Sequence, residues 1–242
     1  MNFKQISQFK TGIKTIQGDK ANKDEKKLID INISKKRVFV LGNYHSGTRW
    51  LNYLIIDNTP TNTLYSLRNQ HEYLDDNNNI KKNFKHGILT EELLNQKHIV
   101  IIYIIRDFDN FLNSFLKNSY DKKIKNGIVS GTNMNIYEWY CYMIESNISL
   151  LKNSGSNYII ASLEQLQETK GKSLLNILEK YGFKFIKPYN FIDKHTKTGK
   201  IEQNQKKSQQ INKKKMLFQR NNSKIENLLE TLIKHPEICI NF

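Results

Sequence analysis

The chain has 242 residues, 38% of them hydrophobic, and a formal net charge of +15. Its longest apolar run, 99–105, is too short to span a bilayer, and its first residues lack the apolar stretch of a signal peptide. The two cysteines form neither a metal-binding spacing nor a disulfide framework. We therefore expect a cytoplasmic protein with one α/β domain, without a membrane partner or a metal ion.

The positive charge is concentrated in the two tails. Residues 1–37 hold ten basic and four acidic side chains and residues 193–242 hold eleven and five, whereas 38–192 hold seventeen and fourteen. Basic tails can bind acidic partners, but plain solvation explains them equally well. We expect 1–36 to be a flexible basic arm and 37–242 to be a single domain with a polar, basic C-terminal segment. No stable complex with nucleic acid is expected.

Strand and helix patterns alternate along the chain. Continuous apolar runs and apolar helix faces predict strands at 38–41, 99–105 and 158–161, and helices at 50–56, 107–117, 136–151, 172–181 and 223–234. The stretches 61–83 and 121–135 are expected to be loops. This alternation predicts an α/β three-layer sandwich, with a central parallel sheet and helices on both faces.

The first predicted strand runs into a tight loop with Gly42, Ser46 and Gly47, and then into a helix. A loop of this kind directs backbone N–H groups and the positive end of a helix towards one anion. The spacing of the two glycines matches the phosphate loop of P-loop kinases, but Thr48 stands where that pattern requires lysine. The segment predicts a P-loop-like anion site that departs from the kinase pattern.

The second predicted strand ends on Arg106, and Ser114 follows eight positions later. Together with the first loop, these residues predict a protein that holds a nucleotide by phosphate-like groups at both ends. Two plainer interpretations remain open at this point. Arg106 can form a surface ion pair with Asp107 or Asp109, and Ser114 can be an ordinary helix residue.

These two segments resemble the sulfotransferases that use 3′-phosphoadenosine 5′-phosphosulfate (PAPS). In that family the loop after the first strand binds the 5′-phosphosulfate, and the Arg and Ser of the second segment hold the 3′-phosphate. The resemblance covers about residues 37–185. It implies a phosphosulfate-binding strand-loop-helix and the following contacts to PAPS: His45, Ser46, Gly47, Thr48, Arg49, Trp50, Arg106 and Ser114.

The same resemblance implies two catalytic histidines. His86 precedes Arg106 by twenty residues, as does the general base of the cytosolic branch of the family. His45 stands where the family usually has Lys or Arg, so it would stabilise charge on the leaving phosphate. His71 and Glu72 remain alternatives for the base, since the heparan-type branch uses a glutamate.

Three functions are compatible with these patterns. The first is a sulfotransferase that acts on a hydroxyl of a carbohydrate or small molecule. The others are a P-loop kinase-like enzyme and a non-catalytic basic protein that binds nucleotide or nucleic acid. Trp139 and Tyr140 are expected to lie in the core, and Leu163 replaces a family tyrosine. The acceptor and the oligomeric state stay open.

Overall fold

The computed structural model describes residues 36–61, 63–118, 124–125, 128–191, 225, 227–228, 230–231 and 240–241. The predicted N-terminal arm, apart from Lys36, and most of the predicted C-terminal segment lie outside these residues. The proposed domain limits therefore stay predictions. Of the helix predicted at 223–234, five residues are described, and all five are helical.

Strands and helices alternate through the described part of the chain. The strands are β1 Arg37–Gly42, β2 Glu72–Leu74, β3 Ile80–Lys82, β4 Ile99–Ile105, β5 Ile124–Lys125, β6 Ile128–Val129, β7 Asn157–Ser162 and β8 Ile240–Asn241. The helices are α1 Thr48–Asn58, α2 Glu91–Leu94, α3 Phe108–Asn118, α4 Ile136–Ser154, α5 Leu163–Glu168 and α6 Lys172–Lys180.

The central sheet has the strand order β1–β4–β7–β8. β4 pairs in parallel with both β1 and β7, and β8 pairs antiparallel with β7. The hairpins β2–β3 and β5–β6 form two small separate sheets. The predicted α/β class and parallel sheet are confirmed, and the three parallel strands are those that the apolar runs predicted.

Successive side chains of a strand point to opposite faces of the sheet, so the sheet contributes to two separate cores. Helices therefore cover both faces. Phe39, Ile101 and Ile160 belong to the core shared with α3 and α4. Val40 and Ile102 belong to the core shared with α1 and α6. Every residue of β4 is buried, so both of its faces have to be apolar.

The stretch 61–83 differs from the sequence-based expectation, because it contains the hairpin β2–β3. Arg37 anchors this hairpin by donating hydrogen bonds to the carbonyl oxygens of Leu74 and Asp75. The Asp75 carboxylate closes the turn by accepting the backbone N–H of Asn79 at 2.7 Å. Strands of three residues are too short to show a two-residue alternation, so the sequence pattern could not predict them.

The carboxyl ends of the three parallel strands meet at one edge of the sheet. β1 ends at Gly42, β4 at Ile105 and β7 at Ser162. Parallel strands place the loops that follow them at the same edge, where α/β folds bind their ligands. The loop 43–47, Arg106 and the start of α5 are therefore brought side by side.

Gly42 leaves no space for a side chain. A Cβ there would lie 2.4 Å from the Ser46 hydroxyl oxygen and 2.5 Å from the Ile104 carbonyl oxygen. We expect Gly42→Ala to lower the free energy of unfolding by about 3 kcal/mol, the upper part of the usual range for overpacking, because one clashing atom belongs to the backbone. Chemical denaturation measures this change.

Gly131→Ala is the control for this substitution. No described atom lies within 4 Å of a Cβ at Gly131, so only its φ of +82° opposes a side chain. That conformation should cost about 1 kcal/mol. A Gly42→Ala protein as stable as the wild type would show that the loop does not pack as tightly as described.

Candidate anion-binding site

The loop 43–47 between β1 and α1 is a compact turn. The backbone N–H and the hydroxyl of Ser46 both donate to the carbonyl oxygen of Asn43, at 3.1 and 2.6 Å. His45 and Gly47 both have left-handed backbone conformations, with φ of 62° and 86°. Ser46 is fully buried, and its two hydrogen bonds to Asn43 hold the turn together.

Helix α1 begins directly after this loop and presents its N-terminus there. Its N-cap is Gly47, which has no side chain to accept the N–H groups of the first turn. The N–H groups of the first turn are therefore left for an external acceptor, and the helix dipole favours an anion. A Cβ at Gly47 would lie 2.5 Å from a methyl carbon of Leu163, so the loop packs directly on the start of α5.

Arg106 connects the end of β4 to the same loop. Its Nη1 donates to the carbonyl oxygen of His45 at 2.8 Å, and its own carbonyl accepts the hydroxyl of Tyr140 at 2.6 Å. Its Nε is buried 4.0 Å from a carboxylate oxygen of Glu164 and makes no hydrogen bond within the described residues. The guanidinium therefore retains donor capacity for a ligand.

Glu164 organises the segment around Arg106, although the sequence patterns did not single it out. Its carboxylate accepts the backbone N–H of Asp107 at 3.2 Å, the side-chain amide of Asn110 at 3.1 Å and the hydroxyl of Ser162 at 3.1 Å. Glu164 thereby joins the ends of β4 and β7. It is the second residue after β7, at the start of α5, where the sequence gives no indication of a contact with the end of β4.

His86 is held against the end of β1 by two hydrogen bonds to Gly42. The N–H of Gly42 donates to the carbonyl oxygen of Lys85 at 3.0 Å, and Nδ1 of His86 lies 2.8 Å from the carbonyl oxygen of Gly42. A carbonyl can only accept, so Nδ1 carries the proton. Burial lowers the pKa of His86 to about 4. At neutral pH the lone pair is therefore on Nε2, as a general base requires.

His71 lies in the same cluster but has the opposite tautomer. Its Nδ1 accepts the backbone N–H of Lys85 at 3.4 Å, which leaves the proton on Nε2. Burial and the charge of Lys85 lower the pKa of His71. Its ring stacks on Phe84 at 5.1 Å between centroids. Of the two histidines, His86 has the geometry of a base, and His71 has that of a hydrogen-bond donor.

Lys85 is a buried cation at this site that the sequence patterns did not identify by themselves. Its ammonium group donates to the side-chain carbonyl of Gln70. Burial, together with the charge of Arg49, lowers the pKa of Lys85 to about 8. In the sequence, its position directly before His86 was the available indication that Lys85 belongs to the site. Burial of a lysine, however, is decided only when the segment docks onto β1.

His45 sits at the tip of the loop and packs edge-on against Phe115, at 6.0 Å between ring centroids. Burial and the nearby charge of Arg106 lower the pKa of His45. The lowered pKa favours the neutral form of His45 before an anion binds, so Arg49 and, below about pH 8, Lys85 are better sources of positive charge. The predicted electrostatic role of His45 stays a prediction.

The other predicted contacts to PAPS differ in how close to the loop the structure places them. Thr48 is buried at the start of α1, and Arg49 is exposed beside it. Ser114 is half-buried on α3, next to the residue that contacts His45. Trp50 packs against the core shared with α6 instead, where it would lie 3.4 Å from a Cβ at Gly171. A direct role for Trp50 in binding is therefore the weakest of these predictions.

Two aromatic residues of α4, Trp139 and Tyr140, contact residues of the site. Trp139 and Tyr140 are both buried, as the sequence predicted. The Trp139 ring stacks on Tyr44 of the loop at 5.9 Å, and Tyr44 in turn lies 4.5 Å from the ring of His86. These core residues therefore fix the loop and His86 relative to each other.

Comparison with known proteins adds no further information about the chain. No family model matches it, and neither the curated proteins nor the solved structures gave a match. None of the helices within the described ranges is long and apolar enough to cross a bilayer. The described residues also contain no cluster of three His, Cys, Asp or Glu side chains that could bind a metal ion.

Lys85 should set an alkaline limit on anion binding. As the pH rises through about 8, the free site loses the positive charge of Lys85. Because proton binding and anion binding favour each other, we expect the dissociation constant of inorganic sulfate to rise by up to about tenfold per pH unit above that point. The methyl NMR signals of Thr48 and Leu163, which lie against the loop glycines, report sulfate binding at each pH.

Two lysine substitutions test the origin of this limit. Lys85→Arg keeps the charge at high pH and should abolish the alkaline loss of affinity. Lys81→Arg, on an exposed lysine paired with Glu92, should leave it in place. An unchanged limit in Lys85→Arg would assign the titration to another group.

Proposed function

We propose that this protein transfers a sulfuryl group from PAPS to a hydroxyl of a carbohydrate or small molecule. The observation that carries the proposal is the uncapped N-terminus of α1 with Arg49, Lys85 and Arg106 around it. Of these cations, Arg106 has the carboxylate of Glu164 at 4.0 Å, and that carboxylate also accepts hydrogen bonds from the Asp107 backbone and the Asn110 side chain. Such an excess of donors and positive charge is best balanced by a ligand with several anionic groups.

The donor groups fit a nucleotide that carries phosphates at two separate positions. The backbone N–H groups of 47–49 suit the 5′-phosphosulfate, since a helix N-terminus binds an anion without needing a particular side chain. Arg106 follows the neighbouring strand and has donors to spare, so it suits the 3′-phosphate. Ser114 lies on the helix that begins two residues after Arg106 and would complete that second position.

Charge stabilisation at the loop comes from groups that are already in place. When bound, PAPS supplies an activated sulfuryl group, and its 5′-phosphate gains negative charge as that group is transferred. The N-terminus of α1, Arg49 and Lys85 stabilise this charge in a partly buried site, where electrostatic interactions are strong. Lys85 and Arg49 thereby supply the fixed charge that the family usually has at the position of His45.

His86 acts as the general base for the acceptor hydroxyl. The Gly42 carbonyl holds Nδ1–H, so Nε2 receives the proton as the acceptor oxygen bonds to sulfur. The pKa of about 4 applies to the ligand-free site. An anion bound beside the imidazole favours its cationic form and raises that pKa towards the working pH.

The binding step is tested by calorimetric titration with adenosine 3′,5′-bisphosphate, the nucleotide product of the reaction. We expect micromolar affinity for this compound and affinity weaker by about tenfold or more for ADP, which lacks the 3′-phosphate. ATP with Mg²⁺ is titrated in parallel, because the spacing of Gly42 and Gly47 also occurs in P-loop kinases. A preference for ATP with Mg²⁺, or no nucleotide binding, would exclude the sulfotransferase function.

The catalytic step is tested by transfer of labelled sulfate from PAPS to a panel of sugars, phenols and alcohols. We expect His86→Gln to bind the nucleotide as the wild type does and to reduce kcat by about 10²–10⁴-fold, the usual contribution of a general base. The control is His98→Gln, which changes an exposed histidine at the opposite end of β4. Equal kcat values for His86→Gln and the control would remove His86 from the mechanism.

A further inference from the structure

Arg106 donates a hydrogen bond to His45, the non-glycine residue of the loop that has a left-handed backbone conformation. It donates from Nη1 to the carbonyl oxygen of His45, across 61 residues of sequence. His45 has a left-handed φ of 62°, which is uncommon for a residue other than glycine, although histidine adopts it more often than most residues do. Residues held in such a conformation persist only when surrounding contacts over-determine them. The hydrogen bond from Arg106 is such a contact.

The orientation of this carbonyl determines how the next peptide units are arranged. The peptide that follows His45 leads into Ser46 and then into Gly47, whose N–H precedes the first turn of α1. If the His45 carbonyl rotated, the Ser46 N–H would turn away from the Asn43 carbonyl, and the turn that leads into α1 would change. The contact between β4 and β1 at Arg106 is therefore part of the anion site itself.

We propose that Arg106 is a positioning residue for the helix N-terminal site in addition to holding a phosphate of its own, so that the two ends of the nucleotide bind cooperatively. This inference rests on the proposed function for the identity of the nucleotide. The physical basis is that one guanidinium serves both positions. Nη1 fixes the loop and Nε lies buried beside Glu164, so Nη2 is the nitrogen left for the second phosphate. A ligand that orders Arg106 also orders the loop.

This arrangement predicts that Arg106 affects the binding of ligands that do not contact it, which a simple phosphate contact would not explain. An arginine that only touched the 3′-phosphate would affect other anions through its charge alone, which Arg106→Lys retains. An arginine that also holds the His45 carbonyl matters for every anion at the start of α1. Adenosine 5′-monophosphate (5′-AMP) and inorganic sulfate, which both lack a 3′-phosphate, therefore separate the two roles.

The experiment compares Arg106→Ala, Ser114→Ala and wild type in titrations with adenosine 3′,5′-bisphosphate, 5′-AMP and sulfate. We expect Arg106→Ala to weaken 5′-AMP and sulfate by about tenfold, in line with the loss of a hydrogen bond from a charged donor, and the bisphosphate by more. Ser114→Ala should weaken the bisphosphate alone. Lys187→Ala, which removes an exposed cation paired with Glu179 of α6, is the control and should change none of the three.

The loop itself is observed by the methyl NMR signals of Thr48 and Leu163 in the ligand-free proteins. We expect Arg106→Ala to shift both, and Arg106→Lys to shift them less, because an ammonium can still reach a carbonyl but lacks the fork of a guanidinium. Thermal unfolding shows whether each variant is folded, and Arg106→Lys serves for all titrations if Arg106→Ala is not. Affinities for 5′-AMP and sulfate within twofold of wild type, with unshifted signals, would overturn the proposal.

Failure of the proposed function gives a different result. If the wild type binds neither nucleotide, the sulfotransferase function fails, while sulfate affinity and the methyl signals still decide the role of Arg106 in the loop. If the wild type binds the bisphosphate and Arg106→Ala loses only the contribution of the 3′-phosphate, the function stands and the coupling does not. The two conclusions therefore rest on separate measurements.

Discussion

The site depends on the absence of a side chain at Gly42. The N–H and carbonyl of this residue bind the segment that carries Lys85 and His86, at 3.0 and 2.8 Å. A Cβ would collide with Ser46 on one side and with β4 on the other. Only glycine allows the loop, β4 and the segment that carries Lys85 and His86 to approach one another this closely. The tautomer of His86 and the burial of Lys85 both follow from this approach.

Electrostatics distinguishes this edge of the sheet from an ordinary strand-to-helix turn. Burial lowers the pKa values of Lys85, His86 and His45, and each of these shifts opposes positive charge. Arg106 adds a further cation that is only partly neutralised by Glu164, at 4.0 Å. Folding a protein around unbalanced positive charge is unfavourable, and a bound anion removes that cost. The same imbalance therefore opposes stability in the free protein and favours binding.

The success of sequence patterns varied with the length of the element. β4 and the helices α3, α4 and α6 were predicted within a few residues, because each presents enough residues to show a period or a continuous apolar run. The hairpin β2–β3 was missed, since it consists of three-residue strands fixed by Arg37. At the site, His45 and Arg106 were identified from local motifs, whereas Glu164 was not, because its role comes from contacts with two other strands.

The sequence alone determined the α/β class, the three parallel strands and the loop before α1, and it predicts two phosphate positions at Gly47 and Arg106. These features are local, because hydrophobic runs, glycine spacing and helix starts are set by neighbouring residues. Only the tertiary structure decided which histidine has the lone pair of a base, that Lys85 is a buried cation, and that Arg106 holds the loop through the carbonyl of His45. Tautomers, burial and charge balance depend on groups that are distant in the chain and adjacent only in the fold.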